Sequence, residues 1–301
     1  MKRTSYYTQR HLWRTRAIEW VLYALAYAFR IVTRPFPVWG LSAVIAPVAA
    51  RLTLLIPRFR SRIVDNLDLV WPDLPAEQRR RLSRVSVEEF THLAVEYGHL
   101  ERFLDGVEAD VEGIEHLAAA RASGRGAVIV TAHFGNWEVA RKVALRAGYE
   151  IGIIYRAFNN RYLDRYAVAL IGCAGRPVLH KGRQGMRALL DHVKKGGMAM
   201  ILVDQRNSGA PFLDFLGVPA ETVTVAATLA GRADAVLIPV RAERRTAERR
   251  FHVSFEAPVP PGPSEEMMAE INRRIGAWIE QTPEQWFWFH RRWRSTARSQ
   301  A

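Results

Sequence analysis

The sequence predicts an α/β protein whose mostly parallel central sheet is flanked by helices. Between residues 127 and 242, apolar β-branched runs alternate with amphipathic runs, a pattern typical of parallel strands joined by helical crossovers. The 301-residue chain is 49% hydrophobic, which is enough apolar sequence for one large α/β domain or two small ones. A single cysteine, Cys173, excludes a disulfide framework and a cysteine-based zinc site.

The N-terminal part of the chain has a different composition. Residues 1–16 are basic and aromatic, and two apolar runs at 17–32 and 38–50 flank the sequence Arg34-Pro-Phe-Pro. Neither run reaches the ~20 residues that a simple membrane span needs. A tilted transmembrane helix, a re-entrant hairpin, an interfacial amphipathic pair and a buried helix hairpin all remain compatible with this pattern.

The rest of the chain divides into predicted strands and helices. The predicted strands cover residues 127–132, 150–155, 176–180, 198–203 and 235–241. The predicted crossover helices cover residues 137–147, 161–173, 184–195 and 222–232. We further expect a long helix within 75–104 and a short strand and helix within 107–126. Towards the C-terminus we expect a strand at 251–256 that forms an edge hairpin with 235–241, a helix at 267–281 and an aromatic, basic segment at 283–293.

Chemically active side chains follow three of the predicted strands. His133, Arg156 and Asp204 each lie at or just past the carboxyl end of a strand. Ligands of open α/β sheets bind at that edge. The three residues are therefore expected to share one site.

The sequence between His133 and Glu138, His-Phe-Gly-Asn-Trp-Glu, predicts a strand-to-helix turn. On one continuous helix the two side chains would lie about 140° apart, so a working pair needs a turn at Gly135 with Asn136 as the helix N-cap. In that geometry the Glu138 carboxylate holds the His133 imidazole, which removes a proton from a hydroxyl group. The alternative is that Glu138 only complements the helix dipole.

Five further stretches occur with this turn in a fixed order. They are Arg62-Ile-Val-Asp-Asn-Leu67, Trp71-Pro-Asp73, Tyr155-Arg-Ala-Phe-Asn-Asn160, Val203-Asp-Gln-Arg-Asn-Ser-Gly209 and Pro283-Glu-Gln-Trp-Phe-Trp-Phe-His-Arg-Arg-Trp293. With the spacing from His133 to Glu138, this set resembles the bacterial late lipid A acyltransferases of the lauroyl/myristoyl type, a branch of the glycerolipid acyltransferases. The likeness runs from about residue 10 to 295.

The resemblance implies an O-acyltransferase with an αβα sandwich fold and an N-terminal membrane-anchoring helical segment. Residues 1–57 would form the basic arm and anchor, and residues 58–301 the catalytic domain. His133 and Glu138 would be the catalytic dyad, and the substrate-binding residues would be Asn136, Arg156, Asp204, Gln205 and Arg206.

The implied partners are an acyl carrier protein or coenzyme A thioester as donor, an anionic lipid A precursor as acceptor, and the cytoplasmic face of the inner membrane. The net charge of +13 suits anionic partners. No cofactor is expected beyond the thioester co-substrate. No metal is expected either, because one histidine and one glutamate make a poor site and no third ligand is suitably spaced.

Four alternatives remain open at this stage. One is a hydrolase, in which water replaces the acceptor. A phosphatidylinositol-mannoside acyltransferase has the same spacing and a different acceptor, and a membrane scaffold could retain the fold without activity. The basic net charge also fits a nucleic-acid-binding protein, although the sequence contains no known motif for reading nucleic-acid bases.

Overall fold

The computed structural model describes residues 9–293, with side chains from residue 16 onward. Most of the basic arm predicted at residues 1–16 therefore lies outside the described side chains. The helices of the described part are α1 Gln9–Thr33, α2 Val38–Leu54, α3 Pro57–Val70, α4 Ala76–Gly98, α5 Leu100–Gly106, α6 Glu115–Ala122, α7 Trp137–Arg146, α8 Arg161–Ile171, α9 Arg183–Lys194, α10 Val225–Ala233 and α11 Ser264–Gln281. The strands are β1 Ala109–Glu112, β2 Ala127–Thr131, β3 Ile151–Tyr155, β4 Val178–His180, β5 Met198–Leu202, β6 Phe212–Phe215, β7 Val218–Glu221, β8 Val236–Arg245 and β9 Arg250–Phe255.

Seven of these strands form the central sheet in the order β1-β9-β8-β2-β5-β3-β4. The pairs within it are parallel except for β8 and β9, which are antiparallel. Every residue of β2 is buried, as expected for a central strand that is covered on both faces. Separate apolar clusters lie on the two faces because successive side chains of β2 point in opposite directions.

The predicted mostly parallel α/β sheet is confirmed, and two details differ. The β8–β9 hairpin forms, but β1 pairs with β9 on its outer side, so the hairpin does not provide the edge strand. A second, two-stranded sheet of β6 and β7 occupies a stretch expected to be loop. Its two-residue turn, Leu216-Gly217, has positive φ at both positions, as a type I′ hairpin requires.

The N-terminal helices join the folded core on one side and expose apolar side chains on the other. Ala46 and Ala50 of α2 are fully buried, and Arg30 of α1 donates to the Tyr166 hydroxyl at 2.6 Å. Large exposed apolar side chains of α1 and α2 include Trp20, Leu22, Leu25, Phe29, Val32, Val44, Val48 and Leu52. None of the helices within the described range is long and apolar enough by itself to cross a bilayer; α2 and α3 meet that criterion together but are bent by 92°.

A tight turn at Gly135 connects β2 to α7. Its φ is +52°, a region that L side chains rarely adopt. A Cβ at this position would lie 1.9 Å from the Ala242 carbonyl oxygen, because the turn packs against β8. Asn136 then caps α7 by accepting the Glu138 backbone N–H at 3.1 Å, which confirms the predicted turn and N-cap.

We expect Gly135→Ala to destabilise the protein by several kcal/mol, since it combines an unfavourable φ with a backbone clash. Gly148→Ala is the matched control, because Gly148 also has positive φ, +84°, but open space around its Cβ position. It should cost only about 1 kcal/mol. Thermal and urea unfolding of both variants provides the measurement. Equal losses of stability in the two variants would show that the close approach of Gly135 to Ala242 adds nothing to the cost of Gly135→Ala.

Candidate active site

Three neighbouring strands bring the predicted site residues to one edge of the sheet. His133 follows β2, Asp204 follows β5 and Arg156 follows β3, and β5 lies between β2 and β3. Because the three strands are parallel, their carboxyl ends face the same way. The sequence-based expectation of a shared edge is confirmed.

The carboxylate that contacts the His133 imidazole belongs to Asp204. Asp204 Oδ1 lies 2.8 Å from His133 Nδ1, and Oδ2 accepts the His133 backbone N–H at 2.9 Å. The indole Nε1–H of Trp286 donates to the same Oδ2 at 2.9 Å. The Asp204 side chain is fully buried, whereas that of His133 is 22% exposed. Asp204 is therefore held by three donors, and the imidazole that it holds can reach a ligand.

Electrostatics keep Asp204 ionised. Burial alone would raise the pKa of this carboxyl, but the charge and hydrogen bonds of His133 outweigh burial and lower the pKa below its usual range. An ionised Asp204 accepts the Nδ1 proton of His133, so when the imidazole is neutral its lone pair is on Nε2, toward the site. This is the tautomer that a general base needs.

Glu138 points into the core instead of toward the imidazole. Its carboxylate pairs with Arg141, and the two side chains are 1% and 0% exposed. It also accepts the Tyr97 hydroxyl at 2.9 Å. Arg141 in turn donates to the carbonyl oxygens of Ile151 and Gly175 at 3.0 and 2.5 Å. Glu138 therefore does not contact His133 as expected, because its carboxylate pairs with Arg141, three residues later on α7, inside the core. Asp204 contacts the imidazole in its place.

Asn136 is also turned inward. Its Nδ2 donates to Glu96 at 2.8 Å, and Glu96 forms a buried ion pair with Arg244. Arg244 reaches Glu89 as well, at 2.9 Å. With both ends of its amide engaged by protein groups, Asn136 positions the turn; a substrate-binding role for it stays a prediction.

The C-terminal segment, residues 283–293, lines the site alongside the His133 turn. Gly135 N–H donates to the Gln285 carbonyl, and Phe287 N–H donates to the His133 carbonyl, each at 3.0 Å. At the basic end of this segment Arg292 and Trp293 are buried, so neither side chain is placed to contact a membrane surface or nucleic acid. Trp286 and His290 are site residues that the sequence analysis missed; no spacing rule relates them to His133.

The other predicted binding residues take different positions. Gln205 is exposed, and its Nε2 lies 3.2 Å from His133 Nε2. Arg206 pairs with Glu221 of β7. Arg156 is exposed at the same sheet edge, whereas the Asp204 carboxylate is engaged by His133 and Trp286.

Two cavities follow α4 where it faces the C-terminal segment. A small one of about 50 Å³ reaches His133 and is lined largely by aromatic and apolar groups, among them Phe90, Leu93, Trp137 and Phe287. A larger one of about 830 Å³ is lined by the first part of α4, the connection between α3 and α4, and the start of the C-terminal segment, including Trp71, Leu74, Leu82, Val85 and Pro283. The two cavities thus form an apolar seam between α4 and the C-terminal segment, and one end of this seam reaches the His133 imidazole.

His290 lies beside His133 and Asp204 and makes a third residue there with a possible metal-ligand atom. The ligand atoms of His133, Asp204 and His290 all lie within 4.8 Å of one another, so the expectation that no third ligand is available was wrong. A cation bound between His133 Nδ1 and Asp204 would have to displace the proton that they share and compete with the Trp286 N–H. The arrangement as it stands fits proton transfer.

Comparisons with known proteins identify the family that the chain resembles along most of its length. Residues 9–295 match the family described as bacterial lipid A biosynthesis acyltransferase. The chain is 26% identical to the lipid A biosynthesis palmitoleoyltransferase of Escherichia coli K12 over 276 residues, covering 88% of this chain and 87% of that protein. It is 26% identical to the lipid A biosynthesis lauroyltransferase of the same strain over 260 residues, covering 81% and 82%. A lipid A biosynthesis acyltransferase of Haemophilus influenzae is 23% identical over 245 residues, covering 76% and 74%.

Asp204→Asn and Glu138→Gln should separate activity from stability. The first variant keeps its shape but loses the charge that stabilises the imidazolium, so we expect kcat to fall about 10²–10⁴-fold with a loss in stability of about 1–3 kcal/mol. The second leaves Arg141 buried without its counter-charge, so we expect a loss of about 3–5 kcal/mol and a smaller change in kcat of the folded protein. Turnover and urea unfolding of each variant provide the test. If Glu138→Gln instead lost most of its kcat and Asp204→Asn lost mainly stability, Glu138 would be the partner of the imidazole.

Prolonged dialysis against a chelator should leave turnover unchanged, whereas added Zn²⁺ should inhibit by competing for His133 and Asp204. Metal analysis before and after dialysis, with turnover at each stage, gives the readout. Activity that disappears with the chelator and returns with one particular metal would establish a metal-dependent site.

Proposed function

Because the chain belongs to the bacterial lipid A biosynthesis acyltransferase family, we propose that it transfers a fatty acyl chain from a thioester carrier to a hydroxyl group of a lipid A precursor. The observation that carries the mechanism is the pair formed by His133 and Asp204 at 2.8 Å. An oriented base at the edge of an apolar seam is what attack of a hydroxyl on an acyl thioester requires.

The proposed reaction has no acyl-enzyme intermediate. The acceptor hydroxyl gives its proton to His133 Nε2 as its oxygen attacks the thioester carbonyl carbon. Asp204 stabilises the resulting imidazolium through Nδ1. When the carbon–sulfur bond breaks, the imidazolium returns the proton to the departing thiolate, so the enzyme ends in its starting state.

Glu138 supports this reaction indirectly in the proposal. With Arg141 and Tyr97 it fixes the first turn of α7, directly after the turn that carries His133. The Glu138 carboxylate is thus a positioning group for the dyad of His133 and Asp204. This differs from the simple pairing that the spacing of His133 and Glu138 implies.

Exposed basic side chains and the apolar seam support the assignment of the substrates. Arg156, Lys181, Arg183 and Arg187 are exposed after β3 and β4 or on α9, near the strand edge that bears the site. We propose that this basic surface receives anionic groups, either the phosphates of the acceptor or an acidic acyl carrier protein. The acyl chain would extend into the apolar seam between α4 and the C-terminal segment.

The proposal also places the enzyme on the cytoplasmic face of the inner membrane. Its support is the concentration of exposed apolar and aromatic side chains on α1 and α2, together with a water-insoluble acceptor. An interfacial arrangement of these helices accounts for their exposed face.

Mass spectrometry of lipid A tests the function. Cells that lack the protein should accumulate a precursor with one acyl chain fewer. The wild-type protein should restore that chain, and a folded His133→Ala variant should not. Restoration by His133→Ala would refute the base mechanism. An unchanged lipid A profile in the deletion strain, with a change in another glycolipid, would favour the phosphatidylinositol-mannoside type of acceptor.

Replacing Val44, Val48 and Leu52 by glutamate should weaken binding to vesicles of anionic and neutral phospholipid by at least about tenfold, since each buried apolar side chain contributes about 1.5–3 kcal/mol. Phe212→Glu is the control, because Phe212 is also a large exposed apolar side chain, at 54%, but lies on β6. Vesicle co-sedimentation measures the bound fraction. If the control weakens vesicle binding as much as the triple variant does, α2 is not part of the membrane-binding surface.

A further inference from the structure

His290 is carried into the site by the C-terminal segment and is held there by α3. The Nδ2 group of Asn66, which lies on α3, donates to the carbonyl oxygens of Trp288 and His290, each at 2.7 Å. Both hydrogens of the buried Asn66 amide are thus used to fix the backbone at His290. The Arg62 to Leu67 stretch, which the catalytic pair does not explain, contributes to the site in this way.

The ring of His290 is fixed and neutral. It packs edge-on against Phe287 and His133, with ring centroids 4.6 and 4.9 Å apart. Burial, and next the neighbouring His133, lower the pKa of His290 to about 4. Near neutral pH the ring therefore has one nitrogen that donates and one that accepts.

Gln205 lies between the two histidines. Its Nε2 is 3.2 Å from His133 Nε2 and 3.3 Å from His290 Nε2. An amide nitrogen has two N–H donors and no free lone pair, so both ring nitrogens act as acceptors in this arrangement. For His133 this agrees with the Nδ1 proton being shared with Asp204.

We propose that His290 is a positioning residue that holds the Gln205 carboxamide as a hydrogen-bond donor for the reacting carbonyl. His290 Nε2 accepts one N–H of Gln205, which leaves the other directed at His133 Nε2. When the acceptor hydroxyl takes the place of Gln205 on His133 Nε2, that second N–H is released beside the site of attack. It then donates to the thioester carbonyl oxygen as negative charge develops there.

This inference rests on the proposed acyl transfer and adds an oxyanion donor to it. As the new carbon–oxygen bond forms, the carbonyl π electrons move onto oxygen, where the Gln205 N–H stabilises them. They return when the carbon–sulfur bond breaks and the thiolate takes the proton from His133. Gln205 and His290 neither gain nor lose a proton over the cycle.

The need for a positioning residue follows from the exposure of Gln205. The side chain is solvent-exposed at the end of β5, and a free glutamine side chain samples many rotamers and both orientations of its amide. Turning the amide so that its oxygen faces His290 Nε2 would oppose two lone pairs. His290 therefore selects the orientation in which an N–H faces the reacting atoms.

The test compares His290→Phe, which keeps a ring and removes the acceptor, with His290→Gln, which restores an acceptor oxygen. We expect His290→Phe to lower kcat about 10–100-fold, below the 10²–10³-fold loss of a whole oxyanion donor, with little change in KM. His290→Gln should recover most of this loss, and Gln205→Leu should resemble or exceed His290→Phe. The double variant should be no slower than Gln205→Leu, because the two residues act as one unit.

His116→Phe is the control for the ring substitution, since His116 is a half-buried residue on α6, outside the site. Thermal unfolding of every variant separates misfolding from lost positioning. Wild-type kcat in folded His290→Phe, failure of His290→Gln to recover activity, or multiplication of the two single effects would overturn the inference.

A second readout does not depend on turnover. The side-chain amide hydrogens of Gln205, assigned by their absence in Gln205→Leu, should exchange slowly with solvent in the wild type and faster in His290→Phe. If the wild-type protein transfers no acyl group, the proposed function fails and this exchange measurement still decides the contact. Equal exchange rates in the two proteins would show that His290 does not hold Gln205.

Discussion

The hydrogen bonds to the buried Asp204 carboxylate are the interaction on which the site depends. They join the end of β5 to the backbone and ring of His133 after β2, and to Trp286 in the C-terminal segment. A buried carboxylate is unfavourable unless donors surround it. The three hydrogen bonds that make its burial tolerable also fix the orientation of the His133 ring, so one set of contacts both satisfies the buried carboxylate and preorganises the imidazole.

Behind this carboxylate lies a second layer of buried charge. Glu138 pairs with Arg141, and Glu96 pairs with Arg244. Asn136 connects these two ion pairs, because it accepts the backbone N–H of Glu138 as the cap of α7 and donates to Glu96. Ion pairs of this kind contribute little net stability compared with apolar packing, but losing one partner is costly. Their effect here is to hold the His133 turn against α4 and β8 in one register.

Much of the sheet and its edge could be predicted from sequence because local patterns determine them. The buried run of β2, the glycine turn and the asparagine cap each require particular residue types at fixed spacings. The short strand β1 and the helix α6 lie where a strand and a helix were predicted within residues 107–126. The β6–β7 hairpin was missed because Leu216 has a φ of +57°, a conformation that a leucine rarely adopts and no local rule predicts.

The partner of the imidazole was not predictable from spacing alone. Glu138 is close to His133 in sequence, but Arg141 one helical turn later directs it into the core. Asp204 is distant in sequence and becomes a neighbour only because β5 pairs with β2. His290 and Trp286 depend on the packing of the C-terminal segment against the His133 turn. Tertiary packing decides all of these contacts.

The most direct test of the central claim is the proton on His133 Nδ1, observed by NMR in protein labelled with ¹⁵N-histidine. A ring N–H that donates to a buried carboxylate resonates at low field and is protected from exchange with solvent. We expect this resonance, assigned by its loss in His133→Gln, to persist in folded Glu138→Gln and to vanish in Asp204→Asn. A resonance that survives in Asp204→Asn and is lost in Glu138→Gln would contradict the assignment of Asp204 as the partner of the catalytic imidazole.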